Sequence, residues 1–235
     1  TIGALDPDPR HAGGGVDVLC NSGILVDTSL VATKQRSFEE QNPAFLRGLS
    51  EMNVPWVLLK WASSVDGKTA TDLGVSQWIT APESREEVHQ LRALGEATMA
   101  GKKTLIKDNP SLTARPSELV PDIQPLRIAF GVDSPMSADS KFLQSQGSRL
   151  WIIGENDPSP SDLDPLLRVP RSDLGLDPVE ALKELRSQYG IRRLFVEGGS
   201  LLHGSLLTAG LVHAIVRYEA PILLGGHHAA CAGPS

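Results

Sequence analysis

The sequence predicts an α/β protein built on a largely parallel sheet flanked by helices. Three observations carry that reading. Short apolar runs of strand length alternate with stretches of helical spacing, and glycine or proline punctuates the joins. The chain has 235 residues, 40% hydrophobic and 21% charged, enough to bury a sizeable core without staples. A formal net charge of -6, with no basic tract or stripe, argues against a dedicated nucleic-acid or anionic-membrane surface, so any phosphate must be bound locally. Cys20 and Cys231 are too few and too far apart for a disulfide scaffold or a thiolate zinc site, which makes a reducing cytoplasm the natural compartment. No apolar run approaches the roughly 20 residues of a membrane span, and the opening does not read as a signal peptide.

Taken in order, "TIGALDPDPRHAGGGVDVLCNSGILV" reads as a strand end, an Asp-Pro loop, a short helix with Val16 and Leu19 inward, and a strand over residues 24–26. A second helix is expected over residues 38–49, and a boundary near residue 53, where polar "SEMN" gives way to "VPWVLLKWA". In "TAPE", Thr80 and Glu83 have the spacing of a capping box and open a helix carrying Val88, Leu91 and Arg92 that stops at Gly95. "EATMAG", "PLRIAFGV" and "RLWIIG" supply three strands, and "ENDPSPSDLDP" a polar surface loop. Asp177 and Pro178 start a helix with Val179, Leu182, Leu185 and Tyr189 on one face, ended by Gly190, and a strand over residues 193–196 follows.

Three junctions have the composition of a binding site. In "LFVEGGSLLHGSLLTAG", Glu197, Gly198 and Gly199 stand where a strand gives way to a helix, the place where unpaired N–H groups and the helix dipole favour anions. Ser200 suits an N-cap or phosphate donor, with Leu201, Leu202, Leu206 and Leu207 as the apolar stripe; the glycines equally suit a turn needed only for tight packing. "LKWASSVDGKTATDLGVSQWIT" runs from a strand into a loop rich in small hydroxyls, either a ligand rim or a solvated turn around Asp66 and Gly67. "AGKKTLIKDNPSLTARP" adds Arg115, a solvated charge or, with Arg92 and the Ser76 loop, part of a phosphate site. Metal and nucleophile motifs are absent from the six histidines and two cysteines, so no metal is expected.

"LKWASSVDGKTA", "GVSQWIT", "LIKDNPSLTAR", "LFVEGGSLLHGSLLTAGLV" and "APILLGG", in this order, resemble the reductase domain of the bifunctional riboflavin-biosynthesis deaminase-reductase family. The segment "ALDPDPRHAGGGVDVLCNSGILV" is similar to the last part of that family's cytidine-deaminase-like domain. The resemblance divides the chain into residues 1–53, a deaminase remnant with its linker, and residues 54–235, a dihydrofolate-reductase-like reductase domain whose C-terminus looks truncated. The deaminase zinc signature is missing, so deamination is not expected, and zinc enters only with a full deaminase domain outside this chain.

The resemblance implies NADPH-dependent reduction of 5-amino-6-(5-phosphoribosylamino)uracil to its ribitylamino counterpart, by hydride addition at C1 of the opened ribose, in a cytoplasmic homodimer. It demands no strong acid-base residue and leaves the catalytic residue unknown. Ser76, Arg92, Leu112, Arg115 and Glu197 fall on its substrate positions, Arg92 and Arg115 for the phosphate, Glu197 for hydroxyls or the pyrimidine. Ala62, Trp78, Thr104, Asp108, Gly199, Ser200, Leu201, Leu202, His203, Gly204 and Ser205 fall on its cofactor positions. Residues 131–134 depart from the family pattern and stay unassigned, and Lys102 and Lys103 suit either the 2′-phosphate of NADPH or plain solvent. Two other readings remain open: a different NADPH reductase of the same fold class, and a catalytically silent binding module.

Overall fold

The computed structural model describes every residue except 7, 9, 10, 12, 13, 43–52, 77, 78, 119, 162, 163, 174 and 232–235. Two compact units result, Thr1–Met52 and Asn53–Ser235. The first holds α1 (Gly14–Asn21) and α2 (Val31–Gln41). It departs from expectation in three ways. Helix α1 buries none of its residues, and Val16 is half-buried while Leu19 is exposed. Residues 24–26 form no strand: Ile24 N–H turns back to Leu19 O at 3.0 Å, and the neighbouring Ile2 N–H to Asp27 O bond at 2.8 Å is a single cross-link that makes no ladder. Helix α2 starts seven residues before the expected 38, because Ala32, Lys34 and Gln35 favour helix without supplying an apolar stripe. The expected remainder of that helix, residues 43–49, lies outside the described residues.

In the second unit, β-branched, leucine-rich and aromatic runs become strands of a parallel sheet whose inner strands are covered on both faces, which explains why those read as continuous apolar runs. The strands are β1 (Trp56–Ser64), β2 (Ala97–Gly101), β3 (Leu126–Phe130), β4 (Arg149–Gly154), β5 (Leu166–Val169), β8 (Arg193–Val196) and β9 (Ala214–Ala220), in the order β5-β4-β3-β2-β8-β1-β9. Every pairing in this sheet is parallel. β6 (Arg171–Ser172) and β7 (Gly175–Leu176) form a separate antiparallel hairpin. Successive side chains alternate between faces. Met99, Ile128, Leu150 and Ile152 join one buried cluster, and Ala100, Ala129 and Trp151 a second, with Phe142 edge-on to Trp151.

The helices of this unit are α3 (Pro82–Leu94), α4 (Lys102–Lys107), α5 (Lys141–Gln144), α6 (Pro178–Ser187) and α7 (Ser200–Thr208). The expected Thr80/Glu83 capping box does not form. Pro82 takes a first-turn position and Ala81 the cap, which shifts Thr80 outside the helix and leaves Glu83 one position too early to reach back. α6 does start as expected, since Asp177 Oδ1 accepts from the N–H groups of Val179 (2.8 Å) and Glu180 (3.2 Å).

Chain order fixes where the loops meet. From β1 the chain skips one sheet position to β2, runs outward through β3, β4 and β5, and returns to insert β8 between β2 and β1. Segments leaving the C-terminal ends of β1, β2 and β8 therefore converge at the middle of the sheet, the crevice where open α/β sheets take ligands.

Candidate active site

A cleft of about 1200 Å³ opens there, between the ends of β1, β2, β3 and β8. Its walls carry nine lysines and arginines against two carboxylates, Asp108 and Glu197. In a chain of formal charge -6, that concentration of positive charge is a local feature.

Glu197 is the first residue beyond β8, and its N–H bonds to Met99 O at 3.0 Å, so its position is set by the sheet. Arg92, from the last turn of α3, meets it with a two-pronged ion pair: Nε to Oε1, and Nη2 to Oε2 at 2.7 Å. The remaining arm, Nη1, donates to Thr113 O at 2.9 Å and lies 3.4 Å from His89 Nδ1. Burial pushes the Glu197 carboxyl up, but Arg92, with Lys60 and His89 behind it, holds it below the ordinary carboxylate range. Arg92 and Glu197 thus form one unit rather than two independent contacts, with the Arg92 guanidinium engaged by protein acceptors.

Arg115 differs: its side chain is exposed on the cleft wall and makes no hydrogen bond or ion pair among the described residues, while its N–H donates to His89 Nδ1 at 3.2 Å. Leu112 is buried with φ 58, a backbone region unusual for a leucine. Ser76 Oγ donates to Asp108 Oδ1 at 3.1 Å, joining a residue expected to face the substrate to one expected to face the cofactor.

The glycines at the start of α7 serve both readings of that junction. Gly199 has φ 96, and a Cβ there would meet Gly101 Cα at 3.5 Å; a Cβ on Gly198 would sit 2.9 Å from Thr104 Oγ1. Gly101 N–H donates to Gly198 O at 3.0 Å, so the starts of α4 and α7 are pressed together. The first intrahelical bond in α7 runs from His203 N–H to Gly199 O, which leaves the N–H groups of Ser200, Leu201 and Leu202 without intrahelical acceptors at the cleft. Gly199, not Ser200, is the N-cap, and no side chain caps the helix. The expected apolar stripe is also corrected: Leu202 and Leu206 are buried with His203, Gly204 and Ser205, whereas Leu201 and Leu207 face outward. The helix buries this face against the sheet, and Leu201 points across the cleft wall instead.

Ala62, Thr104, Asp108, Ser76, Arg92, Leu112, Arg115 and Glu197 all line the cleft, as do Gly199, Ser200, Leu201, Leu202, His203 and Ser205. Gly204 is buried behind the wall, and Trp78 lies outside the described residues.

Sequence reading missed Lys60 and His89. Lys60 is an inner residue of β1; burial pulls its ammonium below the usual lysine range, opposed by Glu197 and reinforced by Arg92. Its Nζ sits 5.5 Å from the centre of the Tyr218 ring. A lysine inside an apolar strand, "WVLLKWA", was the available signal. His89 is held neutral chiefly by burial and then by Arg92 and Arg115. His203, with its ring 5.8 Å from Trp61, is almost wholly buried; its pKa is pulled down to about 4 by burial, Nδ1 faces Ala230 O at 3.3 Å and Nε2 has no partner.

Around Gly131, left unassigned from sequence, Lys102 Nζ pairs with Asp133 Oδ1 at 2.5 Å, and the β6–β7 hairpin brings Arg171 to the cleft, paired with Asp157 at 2.8 Å. Lys102 is thus neither free in solvent nor committed to a ligand. No group of three or more His, Cys, Asp or Glu among the described residues is placed to hold a metal ion, and no helix among them is long and apolar enough to cross a membrane.

A family model described as the RibD C-terminal domain matches residues 55–234. The riboflavin biosynthesis protein RibD of Chlamydia pneumoniae is 35% identical over 231 residues, covering 95% of this chain and 60% of that protein. The RibD structure of Acinetobacter baumannii superposes with a TM-score of 0.76 at 30% identity, covering 97% of this chain and 62% of that one. A Thermotoga maritima structure described as a diaminohydroxyphosphoribosylaminopyrimidine deaminase/5-amino-6-(5-phosphoribosylamino)uracil reductase gives 0.76 at 27% identity, with 97% and 61% covered. The chain therefore spans about three fifths of the length of these relatives. Their shared arrangement, a mostly parallel sheet with flanking helices, is the dihydrofolate-reductase-like fold that the motifs led one to expect. With the family match covering well over half of its residues, the chain belongs to the RibD C-terminal domain family.

Proposed function

We propose that the chain reduces 5-amino-6-(5-phosphoribosylamino)uracil to 5-amino-6-(5-phosphoribitylamino)uracil with NADPH, as a step of riboflavin biosynthesis. The observation that carries this is the cleft itself: strongly basic, sized for two phosphorylated ligands, with an ionised, buried glutamate at its centre and a glycine-opened helix N-terminus beside it.

The walls fit a phosphorylated dinucleotide. The close-set Gly101, Gly198 and Gly199 leave no side chain between backbone and ligand, the three N–H groups of α7 suit a diphosphate, and the unpartnered Nε2 of His203 awaits a donor. NADPH, when bound, supplies the hydride. Thr104, Ser200, Leu201 and Leu202 would hold it, with Ala62, Ser205 and the Ser76–Asp108 pair completing its surroundings. Arg115 takes the substrate phosphate. Glu197, fixed in its charged form by Arg92, accepts from ribose hydroxyls or pyrimidine N–H groups. The Lys60 ammonium, made easier to deprotonate by burial, would give its proton to the nitrogen attached to C1 of the open imine form, which gains the electron pair of the C=N bond as C1 is reduced. The protein's share of catalysis is chiefly positioning and exclusion of water.

We assign residues 1–53 to the tail of a deaminase-like domain with its linker, a reading supported by the family match beginning only at residue 55. A homodimer working in the cytoplasm completes the proposal.

Arg115→Ala tests the assignment. The lost charged hydrogen bonds raise KM for the pyrimidine substrate about 10- to 100-fold, with KM for NADPH essentially unchanged. Unaltered kinetics for both would refute the role of Arg115.

A further inference from the structure

Residues 109–115 carry Leu112 and Arg115 into the cleft without belonging to a helix or strand. Asn109 (φ 44) and Leu112 (φ 58) are both in the left-handed region, so this path is not one the chain adopts by default. Nor does backbone pairing hold it: among the described residues, no backbone–backbone hydrogen bond reaches residues 109–115.

Side chains hold it instead. Arg127 Nη1 donates to Ser111 O at 3.2 Å, and Arg92 Nη1 to Thr113 O at 2.9 Å. The Gln124 amide clasps Ala114 from both sides, Oε1 accepting its N–H at 2.8 Å and Nε2 donating to its O at 2.9 Å. His89 Nδ1 accepts the Arg115 N–H at 3.2 Å. Arg92 and His89 belong to the cleft wall, but Gln124 and Arg127 do not line it.

Arg127 is fully buried on β3 with no carboxylate bonded to it, and its other bonds go to Phe142 O, Ser145 O and Gly147 O at 2.7, 2.8 and 2.7 Å. A buried guanidinium is costly unless its donors are met; here four carbonyls from two separate segments accept from its two Nη groups, while Nε has no partner. Burial pulls its pKa down to about 10, so it stays charged at neutral pH.

We propose that Gln124 and Arg127 are positioning residues for substrate: from outside the cleft they set the backbone of residues 111–115, and so the direction in which Arg115 meets a ribose-bound phosphate. This rests on the reading that Arg115 takes the substrate phosphate.

The test uses the whole chain. Gln124→Leu, similar in size but unable to hydrogen-bond, releases both Ala114 bonds; Gln124→Glu keeps the acceptor, loses the donor and serves if the first variant folds poorly. In either, KM for the phosphorylated pyrimidine rises about tenfold while kcat and KM for NADPH stay within about twofold. Ribose 5-phosphate binding, measured by calorimetry without turnover, weakens by about the same factor. Amide exchange at Ala114 and Arg115 accelerates about tenfold, with β2 and β3 unaffected. Weakened ribose 5-phosphate binding and faster local exchange in a chain that does not turn over the pyrimidine would leave this inference standing and remove only the substrate assignment. Unchanged exchange and unchanged phosphate affinity would overturn it, as would equal losses for both substrates together with a fall in kcat, the mark of general loosening.

Discussion

Glu197 keeps its charge where little water reaches it, with 9% of its side chain exposed, and it does so because Arg92 lies alongside with two parallel donors. Removing one partner of such a pair leaves the other buried and uncompensated. Glu197→Gln therefore costs about 3 to 5 kcal/mol in urea unfolding, far more than a surface pair would, and lowers turnover as well. Since its pKa is held below the ordinary 4.5, the pair's contribution is fully present above that value and is lost as pH falls further. His203 shows the opposite charge preference. It is neutral in the fold, with a pKa near 4 against an ordinary 6.5, and it faces Lys60 electrostatically and Ala230 O directly. The unfolded chain binds that proton first, so stability is complete above about pH 6.5 and declines as pH falls toward 4, by roughly 3 kcal/mol in all. His203→Phe flattens that part of the stability–pH curve; an unchanged slope would mean that His203 is not the group titrating.

The junction of β8 with α7 concentrates the design of the cleft in three residues. Gly199 sits at φ 96 against Gly101, where a side chain brings backbone strain, and it is at Gly198 that a Cβ would be crowded, 2.9 Å from Thr104 Oγ1. Gly199→Ala costs about 1 to 3 kcal/mol and weakens NADPH binding, both accessible to a thermal melt run with and without cofactor. The strand-to-helix junction itself is legible in the sequence as a strand, two glycines and a helix-spaced run, whereas its N-cap and its buried face are not. Other elements were less legible. Thr80 and Glu83 have capping-box spacing, yet Pro82 takes the first turn and moves the cap to Ala81. Strand β9, "AIVRYEA", went unread, although its residues alternate between half-buried and exposed, because a short edge strand next to a glycine-rich tail has weak period-two contrast. Asp157 and Asp164 looked like ordinary members of a polar loop; only the fold reveals Asp164 bound to Arg149 and Trp151, and Asp157 to Gly154 N–H and Arg171. Long-range pairs of this kind have no sequence periodicity to betray them.

Across the whole molecule, charge is sorted rather than uniform. An acidic chain places nine of its 22 lysines and arginines around one cleft, while the remaining charge stays predominantly acidic. Composition gave the acidity but not the sorting, since Lys60, Arg92, Lys102, Arg115 and Arg171 come from five separate segments. The sheet order explains their convergence: β8 inserted between β1 and β2 brings together loops that lie more than 100 residues apart, as in the Arg92–Glu197 pair, separated by 105 positions. The ordered motifs supply segments that meet at the cleft, yet they do not single out Lys60, Gln124 or Arg127, whose surroundings depend on burial and on partners distant in sequence. The most direct test of the central claim is NADPH oxidation by the purified chain, followed by absorbance with and without 5-amino-6-(5-phosphoribosylamino)uracil and with NADH as control. The account predicts oxidation that requires the pyrimidine and is much slower with NADH; a folded chain that binds NADPH but shows no pyrimidine-dependent oxidation would contradict it.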